Sequence, residues 1–248
     1  MDLNIINTFL FHPRKSYKEM DEKDVQINMN DNIQVSSRFH LVSKSAPIIL
    51  FFHGNGEIAT DYDYLSPFYN QQNINLIIAE FRGYGFSSGI PTVKNTQVDA
   101  HIILDFVLKY LKEQNYSGSL ILMGRSLGSV SVLELAKRYP QDFSGLIIES
   151  GFADEDPLFK LIGTTAEQAG FNKKDGFLNG EKIKQYAGPL LIIHAAQDHI
   201  IPFSQGELLY TLCPSKNKKL LPIPNANHNN ILGINPQKYF NEIEIFIK

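Results

Sequence analysis

The sequence predicts an α/β protein: a mostly parallel, doubly wound sheet with an antiparallel N-terminal edge and a small helical cap. Three observations predict it. Short apolar runs bounded by turn residues recur along most of the chain, as buried strands do. These runs carry Ile and Leu on both parities, so both faces of the sheet are covered. Segments of helical periodicity alternate with them, which implies strand–helix–strand winding.

The chain has 248 residues, a length that suits one domain, read here as 1–248. Val25 to Met29 and Ile33 to Val42 read as two antiparallel strands joined at Asn30-Asp31-Asn32, a turn composition. The buried strands follow at Ile48 to Phe52, Leu76 to Phe81, Leu120 to Gly124, Leu146 to Glu149, Leu190 to His194 and Lys219 to Ile223. Between them lie helical stripes. Ile58, Tyr62, Leu65 and Tyr69 form the first, and Ile103, Phe106, Val107, Tyr110 and Leu111 the second. Leu133 and Ala136 belong to a helix that Pro140 ends. Tyr239, Ile243, Phe246 and Ile247 belong to a last amphipathic helix after Pro236. The span 153–188 is the one long connection without a strand of its own, and it reads as a small cap inserted in the domain.

Net charge is -3 and charged residues make up 20% of the chain. No long run of like charge occurs, which argues against a nucleic-acid partner. The single cysteine, Cys213, excludes an internal disulfide and reads as a buried structural thiol. Met1 to Ile6 shows no basic-then-apolar signal pattern, and no apolar stretch approaches the roughly 20 residues that span a bilayer. A cytoplasmic location is therefore expected. The sequence leaves the oligomeric state open.

Chemistry concentrates at Gly124-Arg125-Ser126-Leu127-Gly128, a G-x-S-x-G run preceded by a strand pattern and followed by a helical one. A nucleophile on so tight a turn stands above the sheet at a helix N-terminus, which favours developing negative charge. The bland alternative is a Gly-rich turn in which Ser126 only caps the helix. A serine needs a base, and the chain has seven histidines. His228 lies in a polar loop after the last strand, at the carboxyl end of the sheet where ligands bind in such folds. His40 and His101 read as structural, and His194 as a strand end that lines the site. Asp198 follows the Leu190 to His194 strand and reads as the carboxylate that orients His228. Glu149 is the rival acid, with Asp154 and Asp156 close behind.

Backbone N–H groups of Leu127 and of Asn55, in His53-Gly54-Asn55-Gly56, are the expected oxyanion donors. His53 reads as an organiser of that loop. Phe81-Arg82-Gly83-Tyr84-Gly85 reads as a structural turn in which Arg82 ties loops and Tyr84 or Phe86 borders the pocket. Phe152, Leu158, Phe159 and Ile162 are candidate acyl-pocket walls, with core packing the equal alternative.

As a set, these motifs with Asp198 and His228 resemble the Bem-like branch of the α/β-hydrolase superfamily, over about residues 35–248. That branch has eukaryotic relatives among α/β-hydrolase-domain lipid hydrolases and protein depalmitoylases. The resemblance implies a Ser126–Asp198–His228 triad acting on esters or thioesters of a small-molecule or acylated substrate. No cofactor or metal is implied. The chain lacks the transmembrane helix and the N-terminal cysteine cluster of the membrane-bound relatives. Peptide or amide cleavage by the same triad, and a catalytically silent binding module, are the competing expectations.

Overall fold

The computed structural model describes residues 10–30 and 32–248. Met1 to Ile6 and Asp31 of the expected turn lie outside the described residues; Asn32, at φ 59°, has the left-handed backbone that such a turn uses.

The strands are β1 (Asp24–Asn28), β2 (Gln34–His40), β3 (Ile48–Phe52), β4 (Asn75–Ala79), β5 (Leu120–Arg125), β6 (Gly145–Glu149), β7 (Leu190–Ala195) and β8 (Lys218–Ile223). They form one eight-stranded sheet in the order β1-β2-β4-β3-β5-β6-β7-β8. β1 pairs antiparallel with β2, and β2 with β4; every later neighbour is parallel. The helices are α1 (Ser66–Gln71), α2 (Val93–Glu113), α3 (Ser129–Arg138), α4 (Asp156–Leu161), α5 (Asn179–Ile183), α6 (Phe203–Leu212), α7 (Ile231–Ile234) and α8 (Pro236–Ile247). Single 3₁₀ turns occupy Ala59–Tyr64, Ser126–Gly128 and Lys173–Asp175.

Strand alternation divides the core between the two faces. Ile48, Leu50 and Phe52 face one layer with Ile103, Leu104 and Val107 of α2 and Val130 and Leu133 of α3. Ile49 and Phe51 face the other, with Tyr69 of α1 and Tyr239, Phe240 and Ile243 of α8. Local chemistry sets the long helices' starts. Thr92 accepts from Asn95 N while Asn95 Oδ1 accepts from Thr92 N, a reciprocal cap on α2. Asn235 accepts from Lys238 N at the start of α8, with Pro236 in the first turn.

One expected helix is broken. The stripe Ile58, Tyr62, Leu65, Tyr69 predicts a continuous segment, but the chain forms the 3₁₀ turn Ala59–Tyr64 and then the short α1. Pro67 explains the break. In a continuous helix its ring would clash with the carbonyl four residues back and its missing N–H would cost a bond; at the start of α1 neither matters.

β8 forms an outer edge. Among the described residues it pairs only with β7, opposing Pro222 to His194, and it carries Lys218 and Lys219. Cys213 is buried, its thiol 3.3 Å from Tyr186 O. Among the described residues no helix is long and apolar enough to cross a membrane.

The span 153–188 holds α4, the turn Lys173–Asp175 and α5. Phe159 packs on Phe171 with ring centroids 5.0 Å apart, and Phe152 on Phe177 at 5.8 Å. Phe159 is 1% exposed, so Phe159→Ala removes a buried ring and should lower stability by about 3–5 kcal/mol. Denaturant unfolding measures this; a loss below about 1 kcal/mol would show that the ring is not core.

Candidate active site

The site is built at the carboxyl ends of β3, β5, β7 and β8. Parallel pairing of β3 with β5 aligns Phe52 with Gly124, so the loop after β3 lies beside the turn after β5. That turn holds Ser126 at φ 50°, a left-handed conformation costly for a residue with a side chain. The flanking glycines allow it by close approach. A Cβ on Gly124 would meet Gly128 O at 2.4 Å, and one on Gly128 would meet Phe52 O at 1.9 Å. Ser129 Oγ then donates to Ser126 O at 2.6 Å and steadies the first turn into α3. The Leu127 N–H, at this helical start, has no intrahelical acceptor by position.

His228 and Asp198 meet at the ends of β8 and β7. His228 Nδ1 lies 2.7 Å from Asp198 Oδ2, and both residues are buried. Asp198 Oδ1 accepts from Ile200 N at 3.0 Å and Ile201 N at 2.8 Å. Burial pushes this carboxyl upward, but the bond and charge of His228 and the two amides outweigh it and hold it below the usual range. The His228 loop is braced by Asn227 N donating to Asn230 Oδ1 at 2.7 Å and by Asn225 at φ 62°. Ser126 and His228 make no direct hydrogen bond in this structure. Such contacts are often loose without substrate. The two residues are nonetheless tied through the neighbour of Ser126: Arg125 Nη2 donates to His228 O at 2.6 Å.

Glu149, the rival acid, is engaged elsewhere. It accepts from Arg125 Nε at 3.0 Å and from Tyr239 OH at 2.5 Å. Burial raises its carboxyl above the ordinary value. Asp154 accepts from Gln205 and from Asp156 N. His194 donates from Nε2 to Ile201 O at 2.9 Å, and burial holds it below the usual histidine value.

The loop after β3 is organised from three sides. His53 is wholly buried, its Nδ1 2.8 Å from Gly54 O and its Nε2 3.2 Å from Glu80 Oε2. Burial lowers its basicity, but Glu80's bond and charge raise it more. Gly54 N donates to Glu57 Oε2 at 2.7 Å. The Asn55 side chain is fixed by four groups: it donates to Leu10 O and His12 Nδ1, and accepts from His12 N and Tyr84 OH. Arg14 Nε donates to Gly56 O at 2.6 Å. The Asn55 main-chain N–H has no acceptor among the described residues. Residues Leu10 to Arg14 thus strap the loop, a contact for which the sequence carries no periodic signal.

Three expected pocket residues, Tyr84, Phe152 and Phe159, are buried. Tyr84 is fully buried and spends its hydroxyl on Asn55 and on the His12 N–H, so it holds the loop rather than walling a pocket. Phe152 and Phe159 lie in the core, for the aromatic contacts given above. Arg82 reaches Asp99 of α2 at 2.6 and 2.7 Å and so pins its turn to that helix. The main cavity, about 820 Å³, opens instead on the α8 face. Tyr62, Leu65, Tyr69, Tyr239, Arg125 and His228 are among its walls, and Ser126 is not.

A strand feeding a serine at positive φ and then a helix, with an Asp–His pair carried beyond the last two strands of a mostly parallel sheet, defines the α/β-hydrolase class. Solved structures agree on the fold. The Pyrococcus furiosus esterase Pf2001 superposes with a TM-score of 0.75 at 16% identity, covering 94% of this chain and 97% of that one. Est1E from Butyrivibrio proteoclasticus gives 0.66 at 19% identity, covering 90% and 99%. The chain belongs to the hydrolase family described as serine aminopeptidase, S33, whose model matches residues 43–172. Among characterised sequences, protein bem46 of Schizosaccharomyces pombe is 26% identical over 224 residues, 85% of this chain and 72% of that protein. Mouse alpha/beta hydrolase domain-containing protein 17C is 32% identical over 190 residues, 74% of this chain. The chain spans about half the length of that mouse relative, 54%.

The depressed Asp198 carboxyl fixes a sign. A carboxyl with a lower pKa in the folded state binds fewer protons there, so it stabilises the fold above about pH 4, the ordinary aspartate value. That contribution is lost as pH falls through the folded value. Asp198→Asn should therefore flatten the acid limb of a stability–pH curve from thermal unfolding. An unchanged acid limb would contradict the bond to His228.

Proposed function

We propose that this hydrolase cleaves carboxylic esters or thioesters through Ser126, His228 and Asp198. The 2.7 Å contact between His228 Nδ1 and Asp198 Oδ2 carries the reading, because it commits Nδ1 and leaves Nε2 to act as base. His228 takes the Ser126 proton as Oγ attacks the acyl carbon. The N–H groups of Leu127 and Asn55 receive the oxyanion. His228 then gives the proton to the leaving alcohol or thiol, and the acyl group stays on Ser126. Water, deprotonated by His228, attacks that ester; the acid departs and the proton returns to Oγ. The span 153–188 serves as a cap over this site. The lone cysteine fits a reducing compartment, and we place the enzyme in the cytoplasm.

Peptide cleavage is the second reading, favoured by the description of the matching family as serine aminopeptidase. The ester reading is preferred because the structural neighbour Pf2001 is an esterase. A panel of p-nitrophenyl esters, acyl thioesters and aminoacyl p-nitroanilides separates the two, and a preference for the anilides would reverse the choice. A fluorophosphonate probe should label Ser126; an unlabelled protein would be a silent binding module.

Ser126→Ala should lower kcat by about 10⁴ to 10⁶. Asp198→Asn, which leaves the wrong His228 tautomer, should cost about 10⁴, and Glu149→Gln much less. If the last two exchange rank in folded proteins, Glu149 is the acid.

A further inference from the structure

Arg125 stands between Gly124 and Ser126 on the turn after β5, yet its side chain does none of the chemistry above. Its guanidinium is where the separate pieces of the site converge. Nη2 donates to the main-chain carbonyl of His228 at 2.6 Å. Nη1 pairs with Glu57, whose other oxygen accepts from Gly54 N at 2.7 Å and from Tyr62 OH at 2.6 Å. Nε donates to Glu149 at the end of β6. One planar group therefore links the base's loop, the oxyanion loop and the strand beyond, across 103, 68 and 24 residues of sequence.

Stability is a poor reason for this arrangement. Arg125 and both carboxylates are largely withdrawn from water, with 12%, 25% and 5% of their side-chain surface exposed. Burying one cation between two acids costs desolvation that apolar residues of similar volume avoid. The bond to His228 O adds no charge compensation. What it supplies is position: it fixes the backbone that carries the imidazole relative to the strand that carries Ser126. A guanidinium suits this role because its donors are set in a rigid fork and reach three acceptors in different directions; an ammonium presents its donors from one point.

We propose that Arg125 is the positioning residue of this site, holding the His228 loop and the oxyanion loop in register with Ser126. The inference rests on the triad reading above. It concerns geometry in the transition state, so its signature is a fall in kcat at nearly constant KM.

The test uses the full chain, p-nitrophenyl acetate, fluorophosphonate labelling and thermal unfolding. Arg125→Lys should remain folded, lose about 10- to 100-fold in kcat, as small misplacements of reacting groups do, and keep KM within about threefold. Labelling should slow in parallel. Because Arg125→Lys can fail to fold, a second variant removes every charge together: Arg125→Met with Glu57→Gln and Glu149→Gln. That variant should stay folded and still lose about 10-fold or more in kcat. Turnover within threefold of wild type in either folded variant, or activity that returns with stability in the triple variant, overturns the proposal. A loss of activity that appears only as a raised KM overturns it too. Failure of the triad reading looks different: Ser126→Ala would then match wild type, and both proposals would go together.

Discussion

The backbone of Ser126 is the constraint on which the site depends. A side-chain-bearing residue at φ 50° is held only where its surroundings leave no alternative. Here the surroundings are the carbonyl of Phe52, against which Gly128 is pressed, and the hydroxyl of Ser129 below. β3 and β5 must be direct parallel neighbours for this contact to exist, and the sheet order that makes them neighbours also places the loop after β3 beside the serine. Beyond β6, strands β7 and β8 then bring the Asp–His pair to the same rim. A change in strand order would dismantle the turn, the oxyanion loop and the base together.

The polar groups around this turn are buried in two networks that meet at Gly54. One runs from His53 to Glu80 and on to the Ala59 N–H, and it organises the loop after β3 from within the sheet. The other runs from Glu57 through Arg125 to Glu149, Tyr239 and Tyr69. It forms the polar wall of the cavity on the α8 face. Buried networks of this kind are costly when incomplete and specify a single arrangement when satisfied. The backbone at the turn is strained, so a unique arrangement around it is what keeps the strain in place.

Much of the fold was legible because buried parallel strands announce themselves. Ile48 to Phe52 and Leu190 to His194 are apolar on both parities, and both faces are covered. Strand ends differ by a residue or so: β4 is Asn75–Ala79 where the apolar run suggested Leu76 to Phe81. The stripe from Ile58 to Tyr69 was misleading because periodicity ignores Pro67. The serine, its glycines and the loop after β3 were legible because glycine spacing reports close approach. The partner of His228 was less so. Glu149 and Asp198 both end apolar strands, and only geometry shows that one meets the imidazole and the other a guanidinium. Apolar residues near a site carry no mark of whether they line it or fill the core, and Tyr84, Phe152 and Phe159 are all buried. The Leu10–Arg14 strap and the reach of Arg125 to His228 O are long-range contacts of single residues, and no local pattern encodes them.

Strand β8 has a consequence for how the molecule behaves in a crowd. A proline fits a sheet only where its missing N–H points away from the neighbour, so Pro222 leaves the free side of β8 one donor short near its end. At the other end of the same strand Lys218 Nζ turns back onto Tyr210 O and Cys213 O, and Lys219 pairs with Glu242. An incoming strand from another copy would find its ladder interrupted at Pro222. Growth of the sheet from molecule to molecule, the first step toward fibrous precipitation, is disfavoured at this end of the border.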